Sequence, residues 1–300
     1  MLKIIKGMLL SLVIVCGLLL GISGCGVEKP SIKLQEDSSS LKIASQALTN
    51  KTDSSDLKNP AETSNESSNN TPRSTHVQDN QVVPILYYHS IMQESGNELR
   101  MPPEQFELQM AYLKDNGYQS VSLKQLYQAL YKGGTLPAKP FVITFDDGYV
   151  DNYTNAFPIL KKYGFTATVF MVTSYINGEG FLSWSQLKEL AANGWEIEGH
   201  TANHPYLTKL APSTLLSELN ISKELLENEL KQPVNFFAYP YGDLNDDVVQ
   251  VLKDTGYLMA VTTERGWADG KEDAWHLQRV YCYASMGINE FKRRMQNPNY

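Results

Sequence analysis

Phe141-Val142-Ile143-Thr144-Phe145-Asp146-Asp147-Gly148 is an apolar run that ends in two carboxylates and a glycine. A near-continuous apolar run over Phe141 to Phe145 is the mark of a strand covered on both faces, as in a parallel sheet. Two adjacent aspartates in extended chain cannot point the same way. At a strand-to-loop corner, however, one can face a metal while the other faces a substrate. Gly148 permits the tight turn that such a corner needs. Taken alone, Asp-Asp-Gly reads equally well as a helix N-cap or a solvated turn.

Working outward, short β-rich runs alternate with amphipathic helices. Val82 to Tyr88 reads as a strand. Pro103 then opens a helix with Phe106, Met110 and Leu113 at helical spacing and Gly117 at its stop. Ser122 caps a second helix ending near Gly133. Beyond Phe145 the pattern predicts helices over 155–163, 183–193, 212–231, 245–255 and 289–295, and strands over 167–172, 195–198, 235–239, 258–261 and 277–281. About seven strand-helix units in succession favour a distorted (β/α) barrel over an open sheet. Asp146, Asp147, His200 and Tyr241 all fall just past the carboxyl ends of predicted strands, which in a parallel barrel form one rim.

Two further islands would join the aspartates at that rim. His200-Thr201-Ala202-Asn203-His204 carries two imidazoles at i, i+4 spacing, which places both rings on one face of a helical turn. Pro205 disfavours helix at His204, so the turn is expected to be short. Ala238-Tyr239-Pro240-Tyr241-Gly242 is the other. One carboxylate and two imidazoles can hold a metal, and a second carboxylate is spare, the minimum for metal-assisted hydrolysis. Trp275 and His276 are weaker candidates for a pocket wall. Asp151, Asn152 and Tyr153 are placed at the rim, with an N-cap role equally open for the first two. Cys282, in an apolar setting, reads as a core residue.

The N-terminus bears on where the protein works. Lys3 and Lys6 precede an apolar run from Met8 to Leu20, the size of a secretory core segment and short for a spanning helix. It runs into Gly21-Ile22-Ser23-Gly24-Cys25, which resembles the lipobox of bacterial lipoproteins. The expected organisation is a signal over 1–24, a lipidated Cys25 opening a linker over 25–80, and a catalytic domain over 81–300. Cys16 would leave with the signal, so Cys282 would be the one free thiol and no disulfide framework exists. The linker is rich in Ser, Asn and Thr and has no aromatic residue. It cannot bury enough apolar surface to offset its ordering entropy and is expected to be disordered. The chain carries a net charge of −7 with no basic cluster, so nucleic acid is not an expected partner. The expected location is the outer face of a bacterial cell membrane, lipid-anchored.

In combination the three islands resemble the polysaccharide deacetylases, the carbohydrate esterase family that shares the nodulation-type (NodB-homology) domain. The resemblance covers 81–300. It implies that Asp146 is the catalytic base, that Asp147, His200 and His204 bind a divalent metal, and that the Tyr241 backbone N–H meets the oxyanion. Zinc is the first candidate metal, with cobalt or nickel also suited to two His and an Asp. The implied substrate is an N-acetylated polysaccharide. Two departures matter. The family commonly has a late His as general acid, and none follows Leu277. It commonly has an Arg in the Pro-Tyr-Gly island to brace the base, and position 238 is Ala. Both departures resemble the subgroup acting on poly-β-1,6-N-acetylglucosamine, in which an early Tyr-His motif supplies the acid. That implies His89, in Tyr87-Tyr88-His89-Ser90-Ile91, as acid, with Arg279 as candidate brace. Competing readings are a peptidoglycan N-acetylglucosamine deacetylase, a xylan or chitin deacetylase, a glycan-binding pseudoenzyme, and a surface metal-binding or adhesion lipoprotein. Oligomeric state is not legible.

Overall fold

The computed structural model describes residues 82–300 and the two-residue strand Thr75–His76, which pairs antiparallel with Thr135–Leu136. The expected signal, Cys25 and the rest of the linker lie outside the described residues. Seven parallel strands form a closed barrel: β1 Ile85–Tyr88, β2 Pro140–Asp147, β3 Thr168–Met171, β4 Glu196–Gly199, β5 Phe236–Ala238, β6 Met259–Arg265 and β7 Leu277–Tyr281. Each pairs with the next in chain order, and β7 returns to pair with β1, so this ring has no free edge.

Two sequence expectations need correction. The strand expected over Val82 to Tyr88 is interrupted by Pro84, which has no N–H to give a ladder; Val82–Val83 pairs antiparallel with Ala268–Asp269 instead. The strand carrying the aspartates does not stop at Phe145. It continues through Asp147, with Asp146 opposite Phe170 and Asp147 opposite Met171 on β3.

Alternation along the strands makes two cores. Ile85, Val142, Phe170, Phe236, Val261 and Leu277 pack inside the barrel. Leu86, Ile143, Phe145, Val169, Phe237 and Val280 face outward into the layer under the helices. In that outer layer Phe145 stacks on Trp195, with ring centroids 5.6 Å apart.

The helices follow their sequence signals. α1 Pro103–Asp115 starts on proline and buries Phe106, Met110 and Leu113. α2 Leu123–Tyr131 opens on a capping box between Ser122 and Gln125, and α4 Trp184–Ala192 on one between Ser183 and Gln186. α5 Pro212–Leu230, α6 Asp246–Asp254 and α7 Ile288–Gln296 complete the layer. The helix expected over 155–163 has two parts, a π-helical turn Asn152–Ala156 leading into α3 Phe157–Tyr163. Among the described residues no helix is long and apolar enough to cross a membrane.

Gly148 follows β2 with φ +84°, and a Cβ there would lie 2.2 Å from the sulfur of buried Met171. Gly148→Ala is therefore expected to cost about 2–4 kcal/mol, from left-handed backbone strain plus overpacking. A urea denaturation midpoint checks this.

Candidate active site

Asp146 points into the barrel, on the same face of β2 as Thr144. Arg279, from β7, meets it there. The guanidinium donates from Nη1 to Asp146 Oδ1 and from Nη2 to Asp146 Oδ2, both at 2.8 Å. It also donates to Thr144 Oγ1 at 3.1 Å and, through Nε, to the Thr262 carbonyl at 2.8 Å. Its carbon lies 3.8 Å from the centre of the Tyr87 ring. Arg279 is wholly buried and Asp146 nearly so. Burial alone would raise the Asp146 carboxyl, but the charge and hydrogen bonds of Arg279 outweigh it and hold the group below the ordinary carboxylate range.

Asp147 is the next residue, yet it opens onto the same cleft. The device is backbone: Asp147 has φ +71°, a left-handed conformation that Asp tolerates better than most residues. His200 follows β4. The spacing argument for the two His rings needs correction, because His200 to His204 is not a helical turn. Thr201 (φ +69°) and His204 (φ +59°) are left-handed, and the Thr201 hydroxyl accepts the His204 N–H at 2.8 Å. This loop, and not a 3.6-residue repeat, brings the rings together at 4.9 Å between centroids.

Asp147 Oδ1 lies 3.4 Å from His200 Nε2 and 3.3 Å from His204 Nε2. Two donors bound about 2.0–2.1 Å from a tetrahedral zinc stand about 3.3 Å apart, so the set fits. Asp147 Oδ1 is buried and has no hydrogen-bond partner among the described residues, as a ligand oxygen awaiting a cation would be. The Ala238 carbonyl lies 2.6 Å from His200 Nδ1 and can only accept, so Nδ1 carries a proton and, in the neutral ring, Nε2 is the lone pair open to a cation. Burial would raise Asp147, but its contact with His200 and the charges of the three histidines bring it down to about 2. Burial, then the charge of His200, drives His204 down to about 4. His200 is also pressed down by burial, yet Asp147 and Asp146 carry it above the usual imidazole value.

His89 stands just past β1 on the same cleft, which spans about 550 Å³. Burial lowers its pKa against the pull of Asp146 and Asp147. The Tyr87 hydroxyl, kept protonated first by burial and then by Asp146, lies 3.3 Å from His89 Nε2. Tyr241 also lines the cleft, with φ +60°. Neither Trp275 nor His276 lines the cleft. Cys282 is buried, where its thiol is pushed up to about 12.

A family model of polysaccharide deacetylase matches residues 133–260, a span holding Asp146, Asp147, His200, His204 and Tyr241 but neither His89 nor Arg279. YxkH of Bacillus subtilis (strain 168), whose name gives polysaccharide deacetylase as a provisional function, is 42% identical over 209 residues, 70% of this chain and 74% of that protein. The chain belongs to the polysaccharide deacetylase family. The poly-β-1,6-N-acetyl-D-glucosamine N-deacetylase of Staphylococcus aureus (strain MSSA476) is 32% identical over 65% of this chain and 72% of that protein. The Streptococcus pyogenes deacetylase PplD, solved with acetate, superposes with a TM-score of 0.69 at 31% identity, covering 73% of this chain and all of that one. The chain is thus an amide hydrolase of N-acetyl groups, in a metal-dependent family.

Sequence reading of this deacetylase missed several supporting residues. Thr144 was legible in principle, as a polar residue two positions before Asp146 in an apolar strand. Tyr87 had no such signal, because its position under Arg279 depends on the barrel closing. Asn152 donates to the His89 carbonyl at 2.8 Å, and Asp151 accepts from Ser90 Oγ at 2.6 Å and Ile91 N at 2.7 Å. These two therefore hold the segment carrying His89, whereas the sequence placed them at the rim or at a helix N-cap.

Arg279→Gln leaves Asp146 buried without its counter-charge and is expected to cost about 3–5 kcal/mol, measurable by urea unfolding. Contact with Asp147 favours the protonated form of His200, while near about pH 6 His204 is neutral and Asp147 ionised. Metal uptake by the metal-free deacetylase should then release about one proton and not two, read by calorimetry in buffers of different ionisation heat.

Proposed function

We propose that this domain is an N-deacetylase of poly-β-1,6-N-acetylglucosamine. The observation that carries the reading is Arg279 in bidentate contact with Asp146: a brace on the base from the last strand, where the family's commoner position, 238, is alanine. An early Tyr-His at the end of β1 and the S. aureus relative of that activity support the same substrate.

In this reading Asp147, His200 and His204 hold a divalent cation, with zinc best suited to the donor set. That cation would supply Lewis acidity at the scissile carbonyl and acidify the attacking water. Asp146, kept ionised by Arg279, orients that water and takes its proton. As the acetamido carbon becomes tetrahedral, the Tyr241 backbone N–H donates to the oxygen that gains charge. His89 in its imidazolium form, favoured by the carboxylates Asp146 and Asp147, delivers its proton to the sugar nitrogen as the C–N bond breaks and returns to neutral imidazole, so acetate and a free amine leave. A braced Asp146 is a weak base in isolation. Its merit is that it is always ionised and always aimed, and the acidity is asked of the water.

The N-terminal Lys3, Lys6, the apolar run to Leu20 and the small residues before Cys25 support a lipid anchor at the outer membrane face. The polymer would meet the enzyme there.

With zinc added, the soluble fragment from residue 81 is expected to release acetate from β-1,6-linked oligomers. Asp146→Ala and His89→Ala should each lower the rate by 10² or more. Release only from peptidoglycan would move the substrate to the cell wall. No release from either, with metal bound, would mark a glycan-binding pseudoenzyme.

A further inference from the structure

Two tyrosine rings beside the cleft take no part in the chemistry above. Tyr206 and Tyr241 stack with centroids 4.1 Å apart and planes 16° from parallel, and both stay open to solvent, 54% and 53% exposed. Tyr241 meets the His204 ring edge-on at 4.5 Å. Tyr206 therefore stands two ring contacts out from the ligand set and extends the Tyr241 wall beyond the cleft.

These rings sit on pinned loops. Asn203 is tied to Glu218 through its backbone N–H and its side-chain amide, both at 2.8 Å. Leu207, next to Tyr206, is fully buried. Thr208 then donates to Asp243 from its N–H at 2.8 Å and its hydroxyl at 2.9 Å, joining the loop after β4 to the loop after β5. Stacked aromatic surface held open to water forgoes apolar burial, while its fixed placement lowers the ordering cost of binding. A sugar ring suits it, since its C–H face can lie on the aromatic face while its hydroxyls stay hydrated.

We propose that Tyr206, backed by Tyr241, is the stacking platform for the sugar unit next to the one being deacetylated, so that the site reads a polymer and not a single residue. This rests on the deacetylase reading above. The test compares acetate release from pentamers and disaccharides of β-1,6-linked N-acetylglucosamine by the wild type, Tyr206→Ala, Tyr206→Phe and Tyr206→Trp. In Tyr206→Ala the ratio of kcat/KM on pentamer to that on disaccharide should fall about tenfold, the size of one stacking contact. The ratio should be kept in Tyr206→Phe and Tyr206→Trp, which preserve a flat face. An unchanged ratio in Tyr206→Ala, or an equal fall in Tyr206→Phe, overturns the proposal. If the wild type releases no acetate from either length, the deacetylase reading fails, and calorimetric binding of the pentamer then decides the platform by itself. About tenfold weaker binding to Tyr206→Ala supports it, and equal affinity overturns it.

Discussion

A guanidinium shut inside a barrel is the constraint around which this structure is arranged. Removing such a charge from water costs several kcal/mol unless its donors are met. Arg279 meets that demand with Asp146, Thr144 and the Thr262 carbonyl, and lays its flat face on Tyr87. Those partners come from β1, β2 and β6, while Arg279 itself stands on β7. One side chain thus ties four strands together at the level of the rim. Both oxygens of Asp146 are held by the fork, yet each keeps further lone-pair capacity that can face the cleft.

The second constraint is angular. Successive side chains on a strand point apart, yet Asp146 and Asp147 must address one cleft. The chain solves this with left-handed backbone. Of the six non-glycine residues with positive φ among those described, Asp147, Thr201, His204 and Tyr241 belong to the site or the loop that shapes it. Each such residue costs on the order of 1–2 kcal/mol. The hydrogen bond from His204 N–H to Thr201 and the buried Leu207 that follows hold this strain in place.

The barrel and the rim were legible because hydrophobic runs of strand length alternate with well-capped helices, and because the polar islands interrupt that pattern at strand ends. Asp146, Asp147, His200 and His204 could be named for that reason. How they converge was not legible. The i, i+4 spacing of the histidines suggested a helical turn, whereas two left-handed residues do the work, and nothing local in Thr201 announces a positive φ. Arg279 could be suspected only because a brace was missing at Ala238. Its contacts with Tyr87 and Thr144 depend on pairings across the closed sheet, which no window of sequence contains. The π-helical turn at Asn152–Ala156 is similar: helix was expected only from 155, and the role of Asn152 appears only once it is seen against the His89 carbonyl.

The order of strands around the barrel has a temporal side. β1 and β7 are the first and last members of the ring, yet they lie side by side, with Leu86 opposite Val280 and Tyr87 opposite Tyr281. His89 follows one and Arg279 belongs to the other, so the cleft's His89 and the clamp on Asp146 both sit at the seam where the first and last strands of the ring meet. A chain emerging from the ribosome N-terminus first has Asp147, His200 and His204 early, on β2 and the loop after β4, but Asp146 stays without its guanidinium partner until the final strand docks. Contacts so distant along the chain form late. Closure of the ring therefore waits for β7, and a molecule cut short before Leu277 keeps Asp147, His200 and His204 in its chain while lacking the residue that clamps Asp146.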